Sequence, residues 1–135
     1  MNAKIDAYQK TSVHTASKEQ ILLMLYQAAI RNCRLAMAAI EKKQIRQKGE
    51  YIGKMQDIIV ELNNCLDHKV GGKISQELSS LYDYLLFTST QANMKIDASL
   101  LQNCLNVLLT LYDGWTEAIK SLSKTANKKG GQVSA

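Results

Sequence analysis

The stretch Leu100-Leu101-Gln102-Asn103-Cys104-Leu105-Asn106-Val107-Leu108-Leu109-Thr110-Leu111-Tyr112-Asp113-Gly114-Trp115 decides the fold class. Its apolar residues Leu101, Leu105, Leu108, Tyr112 and Trp115 recur at alternating steps of four and three, and Ile119 and Leu122 continue the series. That period is the seam of a helix packed in a bundle. A second stripe, Leu100, Cys104, Val107, Leu111 and Ala118, follows the same helix. At ~100° per residue it is rotated by roughly 80° from the first. A helix of a small up-down bundle buries about one stripe. Two stripes therefore imply a helix that sits deep, or one that offers a face to a partner.

Outward from this stretch the pattern stays helical. Ser17-Lys18-Glu19-Gln20 is a capping box, in which the Ser17 hydroxyl and the Gln20 side chain satisfy each other's backbone N–H groups. A first helix is expected from Lys18 to Lys42, with Leu22, Leu25, Tyr26, Ala29, Cys33, Ala36 and Ile40 inward. Gln44–Gly49 reads as a polar break. A second helix is expected from Glu50 to Leu66, with Tyr51, Met55, Ile58, Ile59 and Leu62 on one face. Gly71-Gly72 marks the clearest loop. A third helix over Ile74–Met94 carries Leu78, Leu81, Tyr82, Leu85 and Ala92 at core spacing; Lys95–Asp97 then connects to the fourth. No segment alternates with period two for long enough to be a strand, and no internal repeat is found. The expected fold is all-α: an antiparallel up-down four-helix bundle over residues 17–123, preceded by an N-terminal arm (1–16) and followed by a flexible basic tail (124–135).

Composition agrees with this. The chain has 135 residues, 46% of them hydrophobic and 21% charged, enough for one domain with a core of its own. Proline is absent, which suits long uninterrupted helices. No apolar run is long enough for a transmembrane helix, and Met1–Thr15 lacks the apolar h-region of a secretory signal. The net charge is +5, but the basic residues do not form one track. Lys42, Lys43, Arg46 and Lys48 mark one connection, while Lys124, Lys128 and Lys129 belong to the tail. Aromatics do not interleave with them, so solvated helix ends are favoured over nucleic-acid binding.

Nothing resembles a reaction centre. Cys33, Cys65 and Cys104 are widely spaced within helical patterns and read as reduced, mostly buried thiols, not a metal site. His14 and His68 stand alone, and the Glu-x-x-His pattern of di-iron bundles is missing. Asp57 and Glu61 share a helix face but read as solvated carboxylates. The chain is expected to be a binding protein without cofactor or metal, not an enzyme.

Several pieces in order resemble the FliS family of flagellar export chaperones. Tyr8-Gln9, Ser12-Val13 and Thr15-Ala16-Ser17 resemble its YQ…SV.TAS signature, and Leu23-Met24-Leu25-Tyr26 with Ala29-Ile30 resembles its MLYDGAI stretch. Lys48-Gly49-Glu50 through Glu61-Leu62 resembles its second helix. Gly71-Gly72, Leu81-Tyr82-Asp83-Tyr84, Ala92-Asn93 and Asp97 are similar to its third-helix pattern, and Trp115 stands where the family often has a Trp. The sequence departs at Lys18, where a Pro commonly follows the Ser, at Gln27-Ala28 in place of Asp-Gly, and at Phe87-Thr88-Ser89, where arginines are usual.

The resemblance implies a cytoplasmic chaperone that holds the disordered C-terminal segment of flagellin, prevents its premature polymerisation and delivers it for export. Components of the flagellar export apparatus are then further expected partners. A wrapped client needs a large surface with modest affinity per unit area. The second stripe, Leu100, Cys104, Val107 and Leu111, is a candidate surface for helix-in-groove recognition. Tyr84, Phe87 and Met94, off the main core row of the third helix, either extend that surface or are partly buried beside a neighbour. Tyr8 and Val13 either cover the apolar surface when no client is present or staple the arm onto the bundle. A monomer or weak homodimer is expected; the alternative is a self-associating structural or adaptor bundle with the second stripe as its seam.

Overall fold

The computed structural model describes the backbone of residues 17–134 and the side chains of residues 17–124, and within them are four long helices and one helical turn. They are α1 (Lys18–Glu41), α2 (Ile45–Asn64), α3 (His68–Gly71), α4 (Lys73–Lys95) and α5 (Ala98–Ser134). The all-α class expected from the periodicity is what the structure shows. The count of helices is a correction, since five are present among the described residues where four were expected.

The extra helix has a local cause. The Asp67 carboxylate accepts from the backbone N–H groups of Lys69 and Val70, which caps a turn that ends at Gly71. Both glycines are needed there. A Cβ on Gly71 would lie 1.9 Å from Ser75 Oγ, which donates to the Asp67 carbonyl. Gly72 has φ +52° and separates α3 from α4.

α1 starts as expected: Ser17 Oγ accepts from Gln20 N–H, and Gln20 Oε1 accepts from Ser17 N–H, each at 3.2 Å. α2 starts earlier than expected, at Ile45 in place of Glu50, so only Lys42–Gln44 separates α1 from α2. Lys48 explains the difference. Assigned from sequence to a solvated connection, it is only 4% exposed. Its ammonium donates to the Asn93 carbonyl at 2.9 Å, in the last turns of α4. That is the negative end of the α4 dipole, a favourable place for a cation. α5 continues as helix to Ser134, beyond the Leu122 end expected from the apolar pattern.

The long helices form a ring in which α1 packs on α2 and α5, and α4 packs on the same two. Hydrogen bonds made by side chains give the order of contacts. Tyr26 meets Trp115, Gln27 meets Tyr112, and Cys33 meets the Leu101 carbonyl, so numbering rises on α1 as it falls on α5. On the other side, Lys48 meets Asn93 and Gln56 meets Ser89 and Thr90. The core lies inside the ring, with Tyr26, Ile52, Met55, Ile59, Leu62, Tyr82, Leu85, Leu101 and Leu108 essentially inaccessible. A fully buried aliphatic side chain contributes ~1.5–3 kcal/mol of transfer free energy.

Each helix in a ring has two neighbours, which accounts for the two stripes of α5. The first faces α1, as the Leu101, Tyr112 and Trp115 contacts show. The second turns toward α4, where the Cys104 thiol donates to the Leu85 carbonyl. At the α4–α5 corner, Ile96 adopts φ 53°, ψ 51°, the left-handed region. Asp97 then caps α5, its carboxylate accepting from the Ser99 hydroxyl and backbone N–H. These bonds, the hydroxyl's first, hold the Asp97 carboxyl below its ordinary pKa.

Candidate client-binding surfaces

The expected partner-binding residues separate into three groups. Tyr8 and Val13 lie outside the described residues, as does the arm to which they belong. Tyr84, Phe87 and Met94 stand out of α4, 42%, 66% and 74% exposed. Phe87 and Met94 are among the most exposed of the large apolar side chains described, together with Val70, Ile74 and Leu122. On α5, Leu100, Val107 and Leu111 are half-buried and pack against the core.

Cys104 is the correction within this set. It is fully buried and engaged with the Leu85 carbonyl, so the second stripe is not a continuous open row. A thiol at that depth sits between α4 and α5 as a small hydrophobe. At ~100° per residue, Leu100, Val107 and Leu111 lie on the same flank of α5 as Cys104 but further outward. On α4, Tyr84, Phe87 and Met94 share the outward face; at ~100° per residue Phe87 and Met94 lie ~160–180° around the helix from Leu85, which Cys104 meets, so they do not border the α5 residues directly.

A second surface lies on the opposite flank of α5. Two shallow depressions follow the α1–α5 seam. One, of about 430 Å³, is lined by Gln27, Ile30, Arg31, Arg34, Leu35, Leu109 and Tyr112. The other, of about 480 Å³, is lined by Arg34, Met37, Ala38, Ile40, Glu41, Ala98 and Leu105. Arg34 lines both, so the two adjoin there as a trough along the seam. Sequence reasoning missed it, because Arg31 and Arg34 look like ordinary solvated helix residues. The available signal was their one-turn spacing between the apolar neighbours Ile30 and Leu35.

Beneath these surfaces the electrostatics are quiet. Tyr26 and Tyr82 share a hydrogen bond of 2.5 Å between their hydroxyls, and the Trp115 indole N–H donates to Tyr26 Oη at 3.2 Å. Burial raises both phenol pKa values, and proximity to Tyr26 raises that of Tyr82 further. Burial also pushes the Cys33 thiol up to about 12 and the Cys104 thiol to about 11. Thiols raised in this way stay protonated at neutral pH, the less reactive form. Among the described residues, no three His, Cys, Asp or Glu side chains gather as a metal site. Nor is any described helix long and apolar enough to cross a membrane.

Comparison with known proteins agrees with the sequence signature. The family model described as flagellar protein FliS matches residues 1–122. A flagellar secretion chaperone FliS of Bacillus subtilis is 36% identical over 125 residues, covering 93% of this chain and 92% of the relative. Its counterpart from Vibrio cholerae is 35% identical over 121 residues, covering 87% and 89%. The crystal structure of a bacterial flagellar chaperone superposes with a TM-score of 0.73 at 18% identity, covering 87% of this chain and 98% of that one, and so shares the fold. By the extent of these matches along its length, the chain belongs to the FliS family of flagellar secretion chaperones.

Proposed function

We propose that this chain binds the disordered C-terminal segment of flagellin in the cytoplasm, keeps it from polymerising and hands it to the export apparatus, without catalysing a reaction. The observation that carries the reading is the outward placement of Phe87 and Met94 on α4. Separately, Leu100, Val107 and Leu111 give the α4–α5 seam a half-buried apolar edge. An amphipathic segment that packs as helix in the filament finds here a substitute partner through helix-in-groove contacts. The frame is proposed to be an antiparallel up-down four-helix bundle, supported by the opposing order of contacts between α1 and α5. Tyr8 and Val13 of the arm are proposed to take part in client control. The working state is a monomer or weak homodimer.

Calorimetric titration with the flagellin C-terminal segment tests the reading. F87E/M94E is expected to weaken binding at least ten-fold while leaving the melting temperature unchanged, since both side chains are already in water. Unchanged affinity would remove the outward face of α4 as a client site. Light scattering with and without the peptide separates this reading from a self-associating bundle, whose dimer would persist without client.

A further inference from the structure

The geometry points to the α1–α5 trough as a docking site for an acidic amphipathic helix of a partner protein, separate from the α4–α5 face. The inference does not rest on the proposed flagellin site, because the trough lies on the other flank of α5.

Its floor is apolar. Ile30, Leu109 and the ring of Tyr112 line one half, and Met37, Ile40 and Leu105 line the other. Leu35 stands at the rim, 38% exposed. From Gln27 to Glu41 helix α1 rises ~21 Å, about four turns of a partner helix laid alongside it. Helix-in-groove recognition uses anchors at i, i+3, i+4 and i+7, which need a floor of this length.

Its charge selects the occupant. Arg31 and Arg34 are exposed, and neither has a hydrogen bond or ion pair among the described residues. No acidic residue lines the first depression, and Glu41 is the one acid lining the second. Two guanidinium groups one turn apart match two carboxylates one turn apart on a helix. Arginine's planar fork binds a carboxylate with two parallel hydrogen bonds, and the apolar floor beneath excludes water from that pair. A nucleic acid would meet the same arginines but would leave the leucine, isoleucine and methionine floor without a complement.

Fluorescence anisotropy with model peptides tests this on the full chain. The probe is an amphipathic peptide of roughly 18 residues, long enough to hold a helix, with leucine on one face and glutamate on the other. Its twin carries lysine in place of glutamate. The glutamate peptide is expected to bind at least ten-fold more tightly than the lysine twin. R31E/R34E should lose at least ten-fold, whereas K54E/K69E, with the same change in net charge at exposed residues outside the trough, should match wild type. R31Q/R34Q, which removes charge without reversing it, should show the same loss with a wild-type melting curve.

Equal affinity for the two peptides would overturn the proposal. So would an equal loss in both glutamate variants, which would reduce the effect to net charge. A mass by light scattering that falls in R31Q/R34Q would assign the trough to a second copy of the chain instead. Binding of a polyuridine oligonucleotide more tightly than the glutamate peptide, and lost in R31Q/R34Q, would assign it to nucleic acid.

Discussion

The Trp115 indole N–H donates to the Tyr26 hydroxyl, 89 positions away in sequence, and ties the middle of α5 to the first half of α1. Tyr26 is in turn bonded to Tyr82 on α4, so three helices meet at one buried polar point. Two hydroxyls and one indole supply three hydrogens to two bonds, so one hydroxyl hydrogen is not used among these three groups.

Tyr26→Phe removes the shared oxygen and leaves both the Tyr82 hydroxyl and the Trp115 N–H without this partner. A buried group so orphaned costs ~1–3 kcal/mol. The expected loss is about 2 kcal/mol in urea unfolding, visible also as a change in emission from Trp115, the chain's one tryptophan. Tyr82→Phe should cost less, because Tyr26 then keeps its bond to Trp115. Equal losses in the two variants would mean that the Trp115 contact contributes nothing.

Ile96→Gly is expected to stabilise the protein. A β-branched residue at φ 53° sets its side chain against its own backbone, a cost of roughly 1–2 kcal/mol that glycine avoids. Ile96 is 45% exposed, so little burial is lost with it. Part of the gain is offset by the greater freedom of glycine in the unfolded chain. A net rise of about 0.5–1 kcal/mol in denaturant unfolding is expected. A fall would show that the Ile96 side chain contributes more by packing than its backbone loses in strain.

The three cysteines should label unequally. Cys33 and Cys104 are fully buried, and burial raises their thiols to about 12 and about 11. Cys65 is exposed, its thiol raised above the ordinary value by partial desolvation and by Glu61. At pH 8 a thiol reagent should modify one residue quickly, and C65S should remove that phase. The other two should react only at the rate of global or local opening. Denaturation should expose all three. The sign on stability follows from the direction of the shifts. A thiol held protonated in the folded state opposes folding as pH rises through the ordinary thiol range, so stability should decline above about pH 9.

Local chemistry was the part of this structure open to sequence reading. The Ser17–Gln20 box and the Gly71-Gly72 break each depend on residues within a turn of one another, and both are present. Lys48 was misassigned because its partner, the Asn93 carbonyl, is 45 residues away, and no local pattern distinguishes a lysine that reaches a helix end from one that is solvated. The short α3 hid inside the same loop signal that its capping Asp67 helps to make. Cys104 shows a different limit. Periodicity marked a second apolar face on α5 but could not say whether α4 or a partner covers it, and α4 takes the deepest position. Exposed Phe87 and Met94, off the core row, were visible in the pattern. The trough beside Arg31 and Arg34 was not, since it exists only where α1 meets α5.

Leu108 and Leu111 are three residues apart on α5 and should respond differently to the same change. Leu108 is fully buried on the α1-facing stripe, while Leu111 is half-buried at the edge toward α4. Leu108→Glu puts a carboxylate into the core, where it must either stay charged without a partner or take up a proton. The expected cost is upward of 4 kcal/mol, enough to unfold a marginal domain. In Leu111→Glu the carboxylate can turn toward water, so the fold should lose roughly 1 kcal/mol, about half the transfer free energy of a buried leucine. Client binding should suffer more, because docking on the α4–α5 face would strip water from the new charge. Thermal unfolding together with titration of the flagellin C-terminal segment measures both. Should Leu111→Glu unfold the protein as badly as Leu108→Glu, the second stripe is core along its whole length, and the client surface shrinks to Tyr84, Phe87 and Met94 on α4.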